Sequence, residues 1–220
     1  MSRGRAEGAT QLVVFGAGGF AREVCWLAES CPDVGDVVAM IDDDPARHGE
    51  IVNGIPVFGL EQARGQFPAA RMVIGLGSPP HREAVAARAA AAGFAFATLV
   101  HPRVERSRHI EIGEGAVICA GNILTTNIVL GRHVQINLSC TVGHDVVLGD
   151  YVTLSPGVNL SGRVHIGARA YIGTNASIIN GQTDAPIVIG DDAVVGASAC
   201  VTRDVPPGTT VVGVPARPRG

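Results

Sequence analysis

Histidine followed directly by aspartate, His144-Asp145, is the pair in this sequence best suited to chemistry. An imidazole with an unperturbed pKa of roughly 6.5 can accept a proton at neutral pH. A neighbouring carboxylate favours one tautomer and raises its basicity. The pair therefore reads as a general base and its orienting group. There is one geometric objection: adjacent residues on a strand point to opposite faces. The two side chains can meet only at a corner.

The surrounding pattern supplies corners. From Ile112 to Thr183 the chain reads as twelve consecutive six-residue blocks, IGEGAV, ICAGNI, LTTNIV, LGRHVQ and onward to IINGQT. Each opens with Ile, Leu or Val, and the fifth residue is usually small or β-branched. A helix would repeat its apolar positions every three to four residues and a plain strand every two. Period six fits neither and is the mark of a hexapeptide β-helix. His144 is third in its block, outside both the aliphatic and the small slot, and so is free to face a groove. Cys140 occupies the fifth, small slot and reads as core rather than nucleophile. The phase slips at Gln182–Val188, where Ile189 follows Ile178 by eleven residues, so a bulged loop is expected there. The tail from Pro207 to Arg217 breaks the pattern and is expected to end the coils.

Residues 1–102 read as a separate small α/β domain. Met1 to Thr10 form a polar leader. Strands are expected at Leu12–Phe15, Val37–Ile41, Met72–Ile74 and Phe94–Val100, a turn and short strand at Gly54–Val57, and helices over Arg22–Ser30 and Pro79–Ala92. Alternating strands and helices predict a parallel sheet. The first turn, Gly16-Ala17-Gly18-Gly19-Phe20-Ala21, matches G-x-G-x-x-A between strand and helix. Glycines there let the backbone approach a phosphate, whose charge the helix N-terminus favours. Asp42 and Asp43 end the second strand, where an acidic residue commonly meets a ribose or base, although they could equally cap the next turn. Gly75 closes the third strand. Gly16, Gly18, Gly19, Phe20, Asp42, Asp43 and Gly75 are the candidate nucleotide-binding set. The domain is too short for the second half of a dinucleotide fold, which argues against an NAD enzyme.

Bulk properties bound the class. In 220 residues, hydrophobic side chains make up 46% and charged ones 17%, which suits a globular chain. A net charge of -3 gives no support for nucleic acid or an anionic membrane as partner. Five cysteines without a C-x-x-C pair point to a reducing compartment. With neither a signal peptide nor a membrane-spanning run apparent, a cytoplasmic protein is expected.

The glycine-rich turn, Asp42-Asp43, the His144-Asp145 pair, Leu160-Ser161-Gly162 and the closing Val211-Val212-Gly213-Val214-Pro215-Ala216-Arg217 together carry a resemblance. The sequence resembles the hexapeptide-repeat sugar O- and N-acyltransferases, a group including UDP-amino-sugar N-acetyltransferases and sialic acid O-acetyltransferases. The resemblance implies a Rossmann-like half domain followed by a left-handed parallel β-helix over residues 103–220. It also implies a homotrimer, with acetyl-CoA as co-substrate bound between neighbouring β-helices and no metal. Three blocks then make one coil of eighteen residues, so Gly162 stacks on His144, about 4.8 Å away. A glycine there leaves an N–H open to steady a developing oxyanion. Asn137 matches a polar family position near the base. Thr153 stands where some relatives carry a second histidine that contacts coenzyme A, and Phe20 where amine-acetylating relatives often carry histidine. The implied reaction is direct attack of a sugar amine or hydroxyl on the thioester, with His144 as base and no acyl-enzyme.

Other readings are a non-sugar acceptor, a non-catalytic scaffold, and a zinc lyase of the γ-carbonic-anhydrase type, which shares the β-helix. The last needs three converging histidines. His133, His144 and His165 are separated by 11 and 21 residues and do not stack on a coil of eighteen.

Overall fold

A computed structural model describes residues 10–219. The polar leader expected at the N-terminus lies, Thr10 apart, outside them. The first domain has strands β1 (Gln11–Phe15), β2 (Asp36–Ile41), β3 (Ile51–Val52), β4 (Ile55–Phe58), β5 (Arg71–Ile74) and β6 (Ala95–Phe96). Its helices are α1 (Gly19–Glu29), α2 (Leu60–Gln66) and α3 (Pro79–Ala91). The sheet order is β3-β4-β2-β1-β5-β6, and only the β3–β4 hairpin is antiparallel. Leu12, Val13 and Val14 are fully buried because helices cover both faces, as a parallel sheet requires. Helix α3 begins with Pro79-Pro80, where missing N–H groups cost nothing. Gly93, at φ +86°, takes the left-handed step that ends it.

Three parallel sheets wind the second domain into a prism. Strands Val117–Ile118, Gln135–Ile136, Thr153–Leu154 and Tyr171–Ile172 stack on one face, each eighteen residues from the next. The opening residues of the blocks from Ile118 to Ile178 point inward and are at most 3% exposed. Each such Ile or Leu contributes roughly 1.5–3 kcal/mol relative to exposure. Corners recur every six residues in the left-handed region, at Gly115, Gly121, Asn127, His133, Ser139, Asp145, Tyr151, Gly157, Arg163, Arg169 and Asn175. These are the fourth positions of the blocks. They turn the chain from one face of the prism to the next.

The structure departs from expectation in several places. The run Phe94–Val100 is two strands, not one: Ala95–Phe96 edges the first sheet, while Leu99–Val100 pairs with Val117–Ile118 and opens the first coil. Coiling therefore starts before the repeat acquires its phase at Ile112, through Glu105–Arg106 and Ile110–Ile112. The tail adds one more strand before the coils end: Thr210–Val212 pairs with Val194–Val195, and Arg217–Pro218 folds back antiparallel. Helix α2, with Gly65 inside a seven-residue span, was too short to leave a periodic signal. The loop expected at Gln182–Val188 is present up to Pro186, after which Ile187–Ile189 rejoins its face. Its pairing with Val164–Ile166 spans twenty-three residues instead of eighteen. No helix among the described residues is long and apolar enough to cross a membrane. The five cysteines are free.

A buried cation ties the two domains together. Arg82 of α3 is 1% exposed and donates to the carbonyls of Leu76, His133 and Tyr151, to Gln135 Oε1 and to Thr153 Oγ1. Burial lowers its pKa to about 9, which leaves it charged at neutral pH. Gln135 completes the seam by donating to Ile74 O.

Candidate active site

The corner geometry removes the objection to His144-Asp145. Asp145 has φ +58°, and that left-handed step swings its carboxylate back beside the preceding ring. His144 Nδ1 lies 2.8 Å from Asp145 Oδ2. The other carboxylate oxygen accepts from Asn127 Nδ2 at 3.2 Å, one coil away. These bonds, His144's first, hold the Asp145 carboxyl below the usual carboxylate range. An ionised carboxylate only accepts, so Nδ1 carries the proton and Nε2 presents its lone pair. Both side chains are a little over 40% exposed, so the base is reachable.

Gly162 sits beneath the other edge of the ring. A Cβ there would lie 2.5 Å from His144 Cε1 and Nε2. Only glycine leaves room for the base in this position. The Gly162 amide finds no acceptor among the described residues, although its neighbour Arg163 donates to His144 O at 2.8 Å. Acyl transfer pairs a base with a free N–H, and the Gly162 backbone stands one coil from the His144 ring. A cavity of about 390 Å³ adjoins the corner, bounded by Asp145, Arg163, His165 and the 182–186 loop.

The other predicted residues divide. Gly16, Asp42 and Asp43 line one cavity of about 380 Å³ at the end of the first sheet, together with His81 and Arg88 of α3. Arg88 closes on Asp43 with a contact of 2.6 Å and lies over the Phe15 ring. Asp42 is tied to Arg47 at 2.9 Å, and Arg47 also donates to Ala17 O of the glycine turn. A side chain at Gly18 would meet nothing within 4 Å, and one at Gly19 only the tip of Arg22. These two glycines thus leave open space above the start of α1. Gly75 is different: a Cβ would lie 2.7 Å from Ala21 Cα, so this glycine serves helix–sheet packing and does not line the cavity. Phe20 likewise packs against the hydrophobic cluster around α1.

One residue, Thr153, is not where the expectation put it. Thr153 is 1% exposed, donates to Gly77 O and accepts from Arg82. It belongs to the seam between domains and has no surface to offer coenzyme A. Asn137 donates to Leu154 O and makes no hydrogen bond to His144 or Asp145. Cys140 is core, with burial pushing its thiol up to about 11. The three histidines stand apart: His133 is buried in the seam, His144 is at its corner, and His165 lies on an outer face.

Sequence reasoning missed Asn127, Asn180, His81 and Arg88. The first two were legible in the eighteen-residue register, since Asn127 precedes Asp145 by one coil and Asn180 follows Gly162 by one. The last two needed the tertiary placement of α3 beside the end of β2.

Comparison with known proteins places the chain among its relatives. The PglD N-terminal domain family matches residues 11–89. GDP-perosamine N-acetyltransferase of Escherichia coli O157:H7 is 33% identical over 207 residues, covering 93% of this chain and 94% of that protein. A crystal structure of a histidine-to-asparagine variant of perosamine N-acetyltransferase from Caulobacter crescentus, in complex with CoA and GDP-perosamine, superposes with a TM-score of 0.88 at 32% identity over 98% of each chain. WeeI from Acinetobacter baumannii AYE gives 0.87 at 36% identity, covering 96% of this chain and 100% of that one. The PglB acetyltransferase domain from Neisseria gonorrhoeae FA1090, in complex with acetyl coenzyme A, gives 0.85 at 34% identity over 96% and 100%. Coverage of both domains at these identities establishes that the chain belongs to the hexapeptide-repeat sugar N-acyltransferase family.

Proposed function

We propose that this protein transfers an acetyl group from acetyl-CoA to the amine of a nucleotide-linked sugar. The observation that carries the reading is the 2.8 Å His144 Nδ1–Asp145 Oδ2 contact, with the Nε2 edge over Gly162. The acceptor nitrogen attacks the thioester carbon while Nε2 takes one of its protons. Asp145 holds the imidazole in the required tautomer and steadies the imidazolium. The Gly162 N–H stabilises the oxyanion of the tetrahedral intermediate. The C–S bond then breaks, and the thiolate recovers the proton from His144. The relatives that bind CoA and GDP-perosamine, or acetyl coenzyme A, support this choice of substrates.

In this reading the α/β domain, through its edge strand Ala95–Phe96, is the nucleotide-holding part, and the coils from Leu99 onward are the transfer part. The cavity lined by Gly16, Asp42, Asp43, His81 and Arg88 takes the nucleoside, with Gly18 and Gly19 open to the diphosphate. The working form is a homotrimer in the cytoplasm. An outward column of Val129, Val147, His165 and Val188, apolar but for the histidine, runs up the face next to the catalytic corner and suits cover by a neighbouring prism. Free cysteines suit a reducing compartment. Light scattering should give three chains per particle.

Thiol release from acetyl-CoA tests the activity directly, with GDP-perosamine and UDP-linked amino sugars as acceptors. Acceptor-dependent release with at least one of them is expected; none with any would contradict the proposal.

A further inference from the structure

Beyond the base and the oxyanion donor, the catalytic corner holds a third polar group. Residues 144, 162 and 180 occupy equivalent positions on three successive coils, because the preceding strands pair Thr141 with Asn159 and Asn159 with Ser177. Gly162 lies in the middle and has no side chain. A Cβ built there would sit 2.5 Å from His144 Nε2 and 2.9 Å from Asn180 Oδ1. The imidazole and the carboxamide thus reach from opposite sides to the same point above one glycine. Asn180 Nδ2 donates to Gly181 O, which directs Oδ1 toward the histidine. That oxygen accepts from no group among the described residues.

We propose that Asn180 holds the attacking nitrogen and so selects an amine acceptor over a hydroxyl. The proposal rests on the acyl-transfer reading above and adds the residue that determines the acceptor. A neutral primary amine has two N–H bonds. One proton goes to His144 Nε2 as the new C–N bond forms. The other N–H donates to Asn180 Oδ1 and stays on nitrogen throughout. The C–S bond breaks, the thiolate takes the proton from His144, and the amide product keeps its single N–H on Asn180. An attacking hydroxyl has one O–H, which the base consumes. It leaves Asn180 Oδ1 facing oxygen lone pairs, an unpaired acceptor against an acceptor. The same column that places the base therefore discriminates between nucleophiles.

Asn180 is exposed, and the backbone beside it is fixed independently through Gly181 N donating to Gly162 O at 3.0 Å. Substitution should leave the coil folded. The test measures kcat/KM for the best amino-sugar nucleotide of the panel and for the same nucleotide sugar bearing a hydroxyl in place of the amine. Asn180→Ala is expected to lose about 10- to 100-fold on the amine, with little change on the hydroxyl and an unchanged KM for acetyl-CoA. Asn180→Asp, which keeps an acceptor oxygen, should retain the preference for the amine. An Asn180→Ala enzyme within twofold of wild type on the amine overturns the assignment, as does equal loss of preference in the Asp variant. Wild-type enzyme that uses both acceptors equally overturns this assignment alone. Wild-type enzyme that releases no thiol with either overturns the acyl-transfer reading as well.

Discussion

His133 and His144 lie eleven residues apart on the same β-helix, and their surroundings send them to opposite ends of histidine chemistry. His133 is 3% exposed, stacked on Tyr151 at 5.2 Å and edge-on to Phe96 at 4.6 Å. Its Nδ1 has no hydrogen-bond partner among the described residues, and a Cβ on Gly115 would lie 2.3 Å from that atom. Burial, followed by the positive charges of Arg82 and Arg132, pushes its pKa down to about 4. It is an aromatic plate in the seam between the domains. His144 is 43% exposed, with a carboxylate on one nitrogen and the side-chain-free edge of Gly162 under the other. Both belong to blocks of the same repeat, and Tyr151 and Asp145 show that the same left-handed corner can present either kind of partner. Slot within the block, and what stands one coil away, decide whether such a residue packs or reacts.

The seam side of this contrast breaks most readily at Arg82. Replacing it with Ala strands the carbonyls of His133, Leu76 and Tyr151, and should cost about 3–5 kcal/mol in chemical denaturation, measured through m-value and midpoint. Activity per folded molecule should fall far less than stability.

Acid sharpens the contrast next. The folded pKa of His133 lies below its unfolded value of 6.5, so the unfolded chain binds the extra proton first. The stability tied to its neutral form is complete above pH 6.5 and is lost as pH falls toward 4. The expected loss is on the order of 3 kcal/mol over that window. A His133→Phe variant should show a correspondingly flatter dependence in pH-resolved melts.

On the reactive side, Gly162→Ala places a methyl against the His144 ring. The base must move, and kcat should drop by roughly 100-fold with the fold retained. Full activity in this variant would mean that the ring edge does not face the reacting atoms.

How much of this could be read from sequence follows from how local each cause is. The coils were legible because every block repeats the same inward aliphatic residue, and each turn of chain reports its own register. The His144–Gly162 stacking followed from that register, and Asn127 and Asn180 were available from it by one more step. What pattern alone did not reveal was the left-handed φ at Asp145, which reconciles two adjacent side chains. Thr153 shows the opposite case. Its position in a family motif suggested a coenzyme contact, but Arg82, seventy-one residues earlier, takes its hydroxyl into the seam. Gly75 is similar, since its requirement comes from Ala21 across the sheet and not from a ligand. Long-range partners are set by domain docking, about which a repeat of six residues says nothing.

The central claim is that His144 acts in chemistry and not in folding. It is tested most directly by measuring the thermal midpoint and the acetyl-CoA-dependent turnover of His144→Ala side by side. The account predicts a midpoint within about 2 °C of wild type and a kcat lower by at least about 1,000-fold. A folded His144→Ala protein that still transfers acetyl at near wild-type rate would contradict it.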